Sequence, residues 1–269
     1  MSRLPAALAA VIVLLAAAGF FATPYDPLAQ NREAVSQGPN AAHWMGTDDY
    51  GRDVFSRFLA GGSWSLVTGA AATALALGLA WTLGCLAGFR GGWWDWGIMA
   101  LADVFLSVPW LYLLIGIRAA LPLDVRPRVV VALTLAVIAA ISWARPARLI
   151  RGVVLSAANR GSVEAARGFG AGEWHIFTRH ILGDTAAVVA AQALILFPRF
   201  VLAEVTLSFL GLGAGEQDPS WGGLLLGLKQ TYLLGREWWR VLPAVLMLPV
   251  FAACAWGAQL AVRRSGVTR

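Results

Sequence analysis

Two carboxylates, Asp103 and Glu204, stand inside long apolar runs, in ADVFLSVPWL and FVLAEVTLSF. A charge at the centre of a bilayer costs at least ~2.5 kcal/mol on insertion scales, so these two groups need a chemical account. Used as a general acid and base, they would make the chain an intramembrane enzyme. Neither carries a catalytic setting: the chain has no H-E-x-x-H zinc helix and no G-x-S-x-G nucleophile elbow. The phosphate-cradling pattern G-x-x-x-x-G-K-[ST] is missing as well, and the single lysine, Lys229 in LLLGLKQTYL, stands outside any such loop. The chain therefore does not hydrolyse ATP by that mechanism. His175 and His180 are five residues apart, which on a regular α-helix puts them on different faces, and His43 is alone. All three read as polar loop histidines. Cys85 and Cys254 fall in apolar runs and read as small packing residues, with no disulfide or metal spacing. The expectation is a protein with no catalytic residue, no metal and no cofactor.

The elements that must position these groups are membrane spans. Of 269 residues, 58% are hydrophobic and only 13% charged, with a mean hydropathy of +0.66, against roughly 25% charged residues in soluble domains. Unbroken runs near the ~20 residues that cross a bilayer core exclude a β-barrel and predict an all-α polytopic membrane protein. Six spans are expected: Leu4 to Ala22, Ser65 to Phe89, Ile98 to Ile117, Val129 to Trp143, about Thr185 to Leu210, and Val241 to Val262. Gly84 and Gly88 in the second have the small-xxx-small spacing that permits close helix approach. Pro109 is expected to kink the third. The net charge of +6 comes from arginines flanking the spans, which suits a membrane protein better than a nucleic-acid binder.

Between the first two spans, Thr23 to Arg57 is polar and turn-rich. Asp53 then caps a short amphipathic stretch to Leu59, expected as a separate helix at the membrane interface. The connection Arg90 to Trp96 carries three tryptophans suited to headgroup depth. The chain divides at residue 62: 1–62 holds the first span, the polar segment and the interfacial helix, and 63–269 holds the remaining spans with a polar loop at 156–184.

That loop contains VEAARGFGAGEWHIFTRHILGD, Val163 to Asp184, a long polar interruption between two apolar segments. Its Glu164-Ala165-Ala166 triplet, Gly170, and Arg179-His180-Ile181-Leu182 resemble the EAA loop of binding-protein-dependent ABC importers, where the membrane subunit meets its ATPase. HWMGTDDYGRDVFSRFLAGG (His43 to Gly62), PYDPLAQN, SFLGLG and DPSWGGLL are similar, in order, to segments of the dipeptide, oligopeptide and nickel branch. The resemblance implies a type I importer (MetI-like) permease fold in the bacterial inner membrane. Its implied partners are a homologous second permease subunit, two cytoplasmic ATPases, an extracytoplasmic solute-binding protein and the lipid bilayer. It also implies ATPase coupling through Glu164, Ala165, Ala166, Gly170, His180 and Leu182. Gly170 is expected to supply a turn at positive φ. Gly183 stands where the family has proline and Asp184 where asparagine is common; because both Gly and Pro break helices, a break between loop and span is expected here.

Arg145, Arg148, Arg151, Arg160, Arg167 and Arg179 cluster around this loop, so the positive-inside rule places it and both termini in the cytoplasm. Asp103 and Glu204 keep two open readings. They face the translocation path or a partner subunit, or they sit near span ends and reach water or an arginine.

Overall fold

The computed structural model describes residue 19 and residues 21–109, 112, 116, 127–210, 213, 219–229 and 235–264, with the backbone alone at 127, 128, 229, 254 and 258–264. The expected first span, the turn after Leu121, Arg118, Asp218 and the side chains of Lys229 and Cys254 lie outside the described set. Helices are α1 (Val54–Arg90), α2 (Gly92–Ser107), α3 (Pro127–Ser142), α4 (Ala144–Ala158), α5 (Gly161–Gly168), α6 (Glu173–Ile176), α7 (Leu182–Phe209), α8 (Trp221–Leu226) and α9 (Leu242–Arg264). No strand forms among the described residues, and one isolated bridge joins Thr47 to Asp53. Among the described residues, four stretches are long and apolar enough to cross a membrane: Val54–Arg90, Val129–Ala158, Glu173–Phe209 and Trp238–Gly257.

Several boundaries differ from the sequence reading for identifiable reasons. The stretch from Asp53 to Leu59 is not a separate interfacial helix; it is the first part of the 37-residue α1. Asp53 does cap it, its Oδ2 accepting from the Ser56 amide at 2.7 Å. Nothing after Leu59 stops the helix, because Gly61 and Gly62 stay helical, with Ser220 and Trp221 packed against them. At 1.5 Å per residue α1 is about 55 Å long, well beyond a ~30 Å hydrocarbon core. The tryptophans at 93, 94 and 96 lie on the opening turns of α2 rather than in a connection. That helix ends at Ser107 instead of kinking, with Val108 extended (φ −79°, ψ 121°), as a residue preceding proline prefers. The expected fourth span continues past Trp143 into α4, whose Pro146 sits in the first turn, where a missing N–H is harmless.

Residue packing divides the chain into two compact units. The first gathers Met1–Ala71, Arg118–Leu135 and Phe197–Gly257. Its core is Met45, Val54, Phe58, Leu66, Val201, Val205, Trp221 and Met247. The polar segment of this unit is folded by its own side chains. Asp48 accepts from Arg52 Nε at 2.7 Å, and His43 Nδ1 donates to Asp53 at 2.9 Å. Arg240 forms an ion pair with Asp49, and this guanidinium, through its hydrogen bond, holds the Asp49 carboxyl below the usual range. Gly51, at φ +72°, lies so close to the Asn31 carbonyl that a Cβ would come within 1.8 Å of its oxygen.

The second unit gathers Ala72–Ile117, Ala136–Leu196 and Ala258–Arg269. Its core is rich in small residues, with Ala80, Ala87, Ala102, Ala144, Ala147 and Ala157 fully buried beside Ile150 and Val154. Gly84 and Gly88 make the close approach their spacing predicts. A Cβ at Gly84 would meet the Ala147 carbonyl oxygen at 2.6 Å, and one at Gly88 the Arg151 oxygen and Val154 Cβ at 2.9 Å. With no hydrophobic force between helices in lipid, such backbone contact supplies the packing energy. A side chain at Gly84 must push α4 away, so Gly84→Leu is expected to destabilise by about 2 kcal/mol. Gly78→Leu, on the same helix with nothing within 4 Å, should be harmless. Thermal unfolding in detergent of the two variants checks this.

Candidate functional site

The polar loop at 156–184 is a built structure. Asn159 ends α4, and the Arg160 backbone, in an extended conformation, turns the chain into α5. Glu164 lies in the first turn of α5, where a negative charge suits the helix dipole. The helix closes on Gly170 at φ +81°: the Gly170 amide donates to the Arg167 carbonyl at 2.9 Å, and the Ala171 amide to the Ala166 carbonyl at 3.0 Å. This pair of bonds, with a glycine in the left-handed region, is a Schellman C-cap. Its usual apolar contact is present too, since Ala166 and Ala171 both pack against the core of the second unit.

Three fully buried side chains fasten the loop to that core: Val163, Ile176 and Ile181. Phe177 adds a ring contact to Phe89, with centroids 5.3 Å apart. Arg160 donates to Asp184 at 2.6 Å, joining the two ends of the loop, and Arg167 pairs with Glu173 at 3.2 Å. What the loop leaves outward is Glu164, Ala165, Phe169 and Trp174, with Phe169 93% and Trp174 76% exposed. Two large exposed aromatic rings on one loop form an apolar patch of the kind found at contact surfaces. The sequence reading singled out neither ring; a Phe and a Trp in an otherwise polar loop were the available signal.

The loop enters α7 differently from expectation. Residues Phe177–Ile181 form a π-helical turn, closed by the Leu182 amide on the Phe177 carbonyl, and α7 follows directly. Gly183 is therefore inside a continuous helix and makes no break. The π-turn also corrects the reading of the histidines. Its i→i+5 period brings the rings of His175 and His180 onto one side, with centroids 6.4 Å apart. Among the other residues singled out from the sequence, His180 and Leu182 are half-buried at the turn and Glu164 and Ala165 are exposed.

The two carboxylates that stand in apolar runs, Asp103 and Glu204, have separate surroundings. Asp103, in the second unit, pairs with Arg148, and one face of α2 adds a second pair, Asp95 with Arg151. Both pairs line an open cleft of about 610 Å³. Glu204, in the first unit, has no exposed surface; its Oε2 accepts from Ser65 Oγ at 2.6 Å and its Oε1 from Ser208 Oγ at 2.9 Å. Among the described residues, neither has a second carboxylate as a hydrogen-bond or ion-pair partner.

Residues 80–265 match the family described as binding-protein-dependent transport system inner membrane component. The chain is 35% identical, over 89% of its length and 79% of the relative's, to the probable D,D-dipeptide transport system permease protein DdpC of Escherichia coli (strain K12). It is 36% identical to the glutathione transport system permease protein GsiD of Pectobacterium atrosepticum, over 80% of this chain and 70% of that one. The dipeptide transport system permease protein DppC of Bacillus subtilis (strain 168) is 32% identical, over 86% and 70%.

The loop geometry separates two kinds of substitution. Nothing lies within 4 Å of a Cβ at Gly170, so Gly170→Ala pays only for its backbone angle, about 1 kcal/mol. Phe169→Ala, at a ring that touches almost nothing, should change stability by less than about 0.5 kcal/mol. Thermal unfolding of each variant in detergent is the measurement.

Proposed function

The chain belongs to the binding-protein-dependent transport system inner membrane components, and on that footing we propose that it is one permease subunit of an ATP-driven ABC importer of small peptides. It forms half of a path across the bacterial cytoplasmic membrane, the other half coming from a homologous permease. Two cytoplasmic ATPases drive it, and an extracytoplasmic binding protein delivers the solute. The proposed topology has six spans, with both termini and the 156–184 loop in the cytoplasm, as the arginine distribution supports. The N-terminal 1–62 is proposed as an addition to a transmembrane domain at 63–269. The relatives' names carry D,D-dipeptides, dipeptides and glutathione, which supports small peptides as the substrate class.

The observation that carries this reading is the loop. A Schellman-closed helix α5, fastened by Val163, holds Glu164, Ala165 and Phe169 outward, and α6, which carries the exposed Trp174 and is fastened by Ile176 and Ile181, runs through the π-turn without interruption into α7. We assign ATPase docking to that outward surface: Phe169 and Trp174 are the apolar anchors, Glu164 the charged contact, and small Ala165 lets the helix lie deep in a groove. Gly170 sets the angle of the turn, while Ala166, His180 and Leu182 support it from the core side. Asp103, open to solvent with Arg148 beside the α2 cleft, is the carboxylate proposed to border the translocation path.

Two experiments test the proposal. Co-expressed with its partners, Gly170→Asp or Glu164→Lys is expected to remain in the membrane but to lose co-purifying ATPase, while Arg32→Glu keeps it. Full ATPase retention and uptake in both loop variants would remove the coupling role. For substrate class, proteoliposomes holding the whole complex and its binding protein should accumulate labelled D-alanyl-D-alanine, L-alanyl-L-alanine or glutathione only with ATP. Accumulation of none of the three would overturn the peptide reading.

A further inference from the structure

Glu204 is enclosed among α1, α7 and α8, and its partners form a chain. The Trp221 amide donates to Ser65 Oγ at 3.3 Å; Ser65 in turn gives its hydroxyl hydrogen to Glu204 Oε2, and Ser208 gives its own to Oε1. The carboxyl therefore decides where the Ser65 hydrogen points. With that hydrogen committed to Glu204, the Ser65 lone pairs are left to receive the first amide of α8, a group with no partner inside its own helix. Ser220 Oγ takes the Gly223 amide at 2.9 Å and completes the start of this six-residue helix.

The seat around α8 is tight. Trp221 is 1% exposed, stacks on Phe58 with centroids 5.6 Å apart, and donates from Nε1 to the Phe58 carbonyl at 3.0 Å. A Cβ at Gly61 would meet the Ser220 backbone at 2.8 Å, and one at Gly222 would meet Ser208 Cβ at 2.4 Å and the Val205 oxygen at 2.5 Å. Backbone touches backbone on both sides of α8. Among the described residues, Arg and Lys are absent from the hydrogen-bond partners of Glu204, and no surface of the carboxyl is left for a solute. Its surroundings suit a hydrogen-bond hub, whereas a ligand for charge would need an open side.

We propose that Glu204 is a positioning residue for transport: by receiving the Ser65 and Ser208 hydroxyls it seats the wedge helix Trp221–Leu226 between α1 and α7, acting through hydrogen bonds and without touching solute. This rests on the importer reading. The polar loop passes directly into α7, and α7 carries both Glu204 and Ser208. A movement imposed at the loop thus reaches α8 through this hub, and loss of the hub separates ATP use from solute passage.

The test uses the whole complex in proteoliposomes with its binding protein and the peptide that the unmodified complex accumulates. Three variants are compared: Glu204→Gln, Glu204→Leu, and the double change Ser65→Ala with Ser208→Ala. The Gln amide accepts from Ser65 and donates to Ser208, so Glu204→Gln should transport as the unmodified complex does. Glu204→Leu and the double serine variant should assemble and hydrolyse ATP while moving at least about ten-fold fewer peptides per ATP. In hydrogen–deuterium exchange, residues 219–229 should exchange faster in those two and unchanged in Glu204→Gln. The proposal is overturned if Glu204→Gln fails as completely as Glu204→Leu, which would make charge the active property. It is equally overturned if Glu204→Leu or the double variant transports normally, if either fails to assemble, or if exchange at 219–229 does not respond. Exchange is read without transport: an unmodified complex that accumulates no peptide sinks the peptide reading, while an unresponsive 219–229 segment sinks the hub.

Discussion

In hydrocarbon, a backbone N–H or C=O finds its partner within the chain or goes without, at a cost of several kcal/mol. The described architecture follows from that constraint. Long stretches are helical because a helix satisfies its own backbone locally, and proline is tolerated inside α7 and α9 at positions 198 and 249. Where a helix must start inside the packed interior, side chains supply what its first turn lacks, and α8 is the clearest case. Its opening amides go to Ser65 and Ser220, and Ser65 is itself held by Glu204. The polar residues of the first unit are thus an extension of backbone accounting, with Glu204 at its end.

The second unit meets the constraint with a sharp turn in its loop, closed by amide-to-carbonyl bonds around Gly170. The loop is fastened by Val163, Ile176 and Ile181, its ends are joined by Arg160 and Asp184, and its last turn is continuous with α7. The π-turn at Phe177–Ile181 preserves that continuity while shifting the register of α7 relative to α6. Phe169 is almost wholly exposed, while the exposed Trp174 ring keeps a ring contact, to Phe177 at 6.0 Å between centroids.

Ion pairs in the two units do unlike work. The pairs Asp95 with Arg151 and Asp103 with Arg148 stand beside an open cleft, where water screens them and their individual contribution to stability is small. Their value lies in making one face of α2 polar in an otherwise apolar helix. Arg240, 8% exposed, instead bridges Asp49 and Glu237 and closes the polar segment onto the helical part of the first unit. Removing one partner there would strand a charge with little access to water.

Patterns that depend on period and local backbone were legible in the sequence. Apolar runs gave the helices, Gly84 and Gly88 the close packing, Asp53 the helix cap, and Gly170 the left-handed turn, because each acts within a few residues of itself. The order of Glu164-Ala165-Ala166, Gly170 and Ile181-Leu182 likewise pointed to the loop that the structure builds. Which elements continue and which stop was decided elsewhere. Leu59 runs on into α1 because Ser220 and Trp221, more than 150 residues later, cover Gly61 and Gly62, and Gly183 stays helical because a π-turn carries the ladder past it. The surroundings of Glu204 belong to the same class. Spacing alone showed a carboxylate in an apolar run, and only the packing of α1, α7 and α8 placed two serine hydroxyls around it, since those contacts join residues that no local pattern relates.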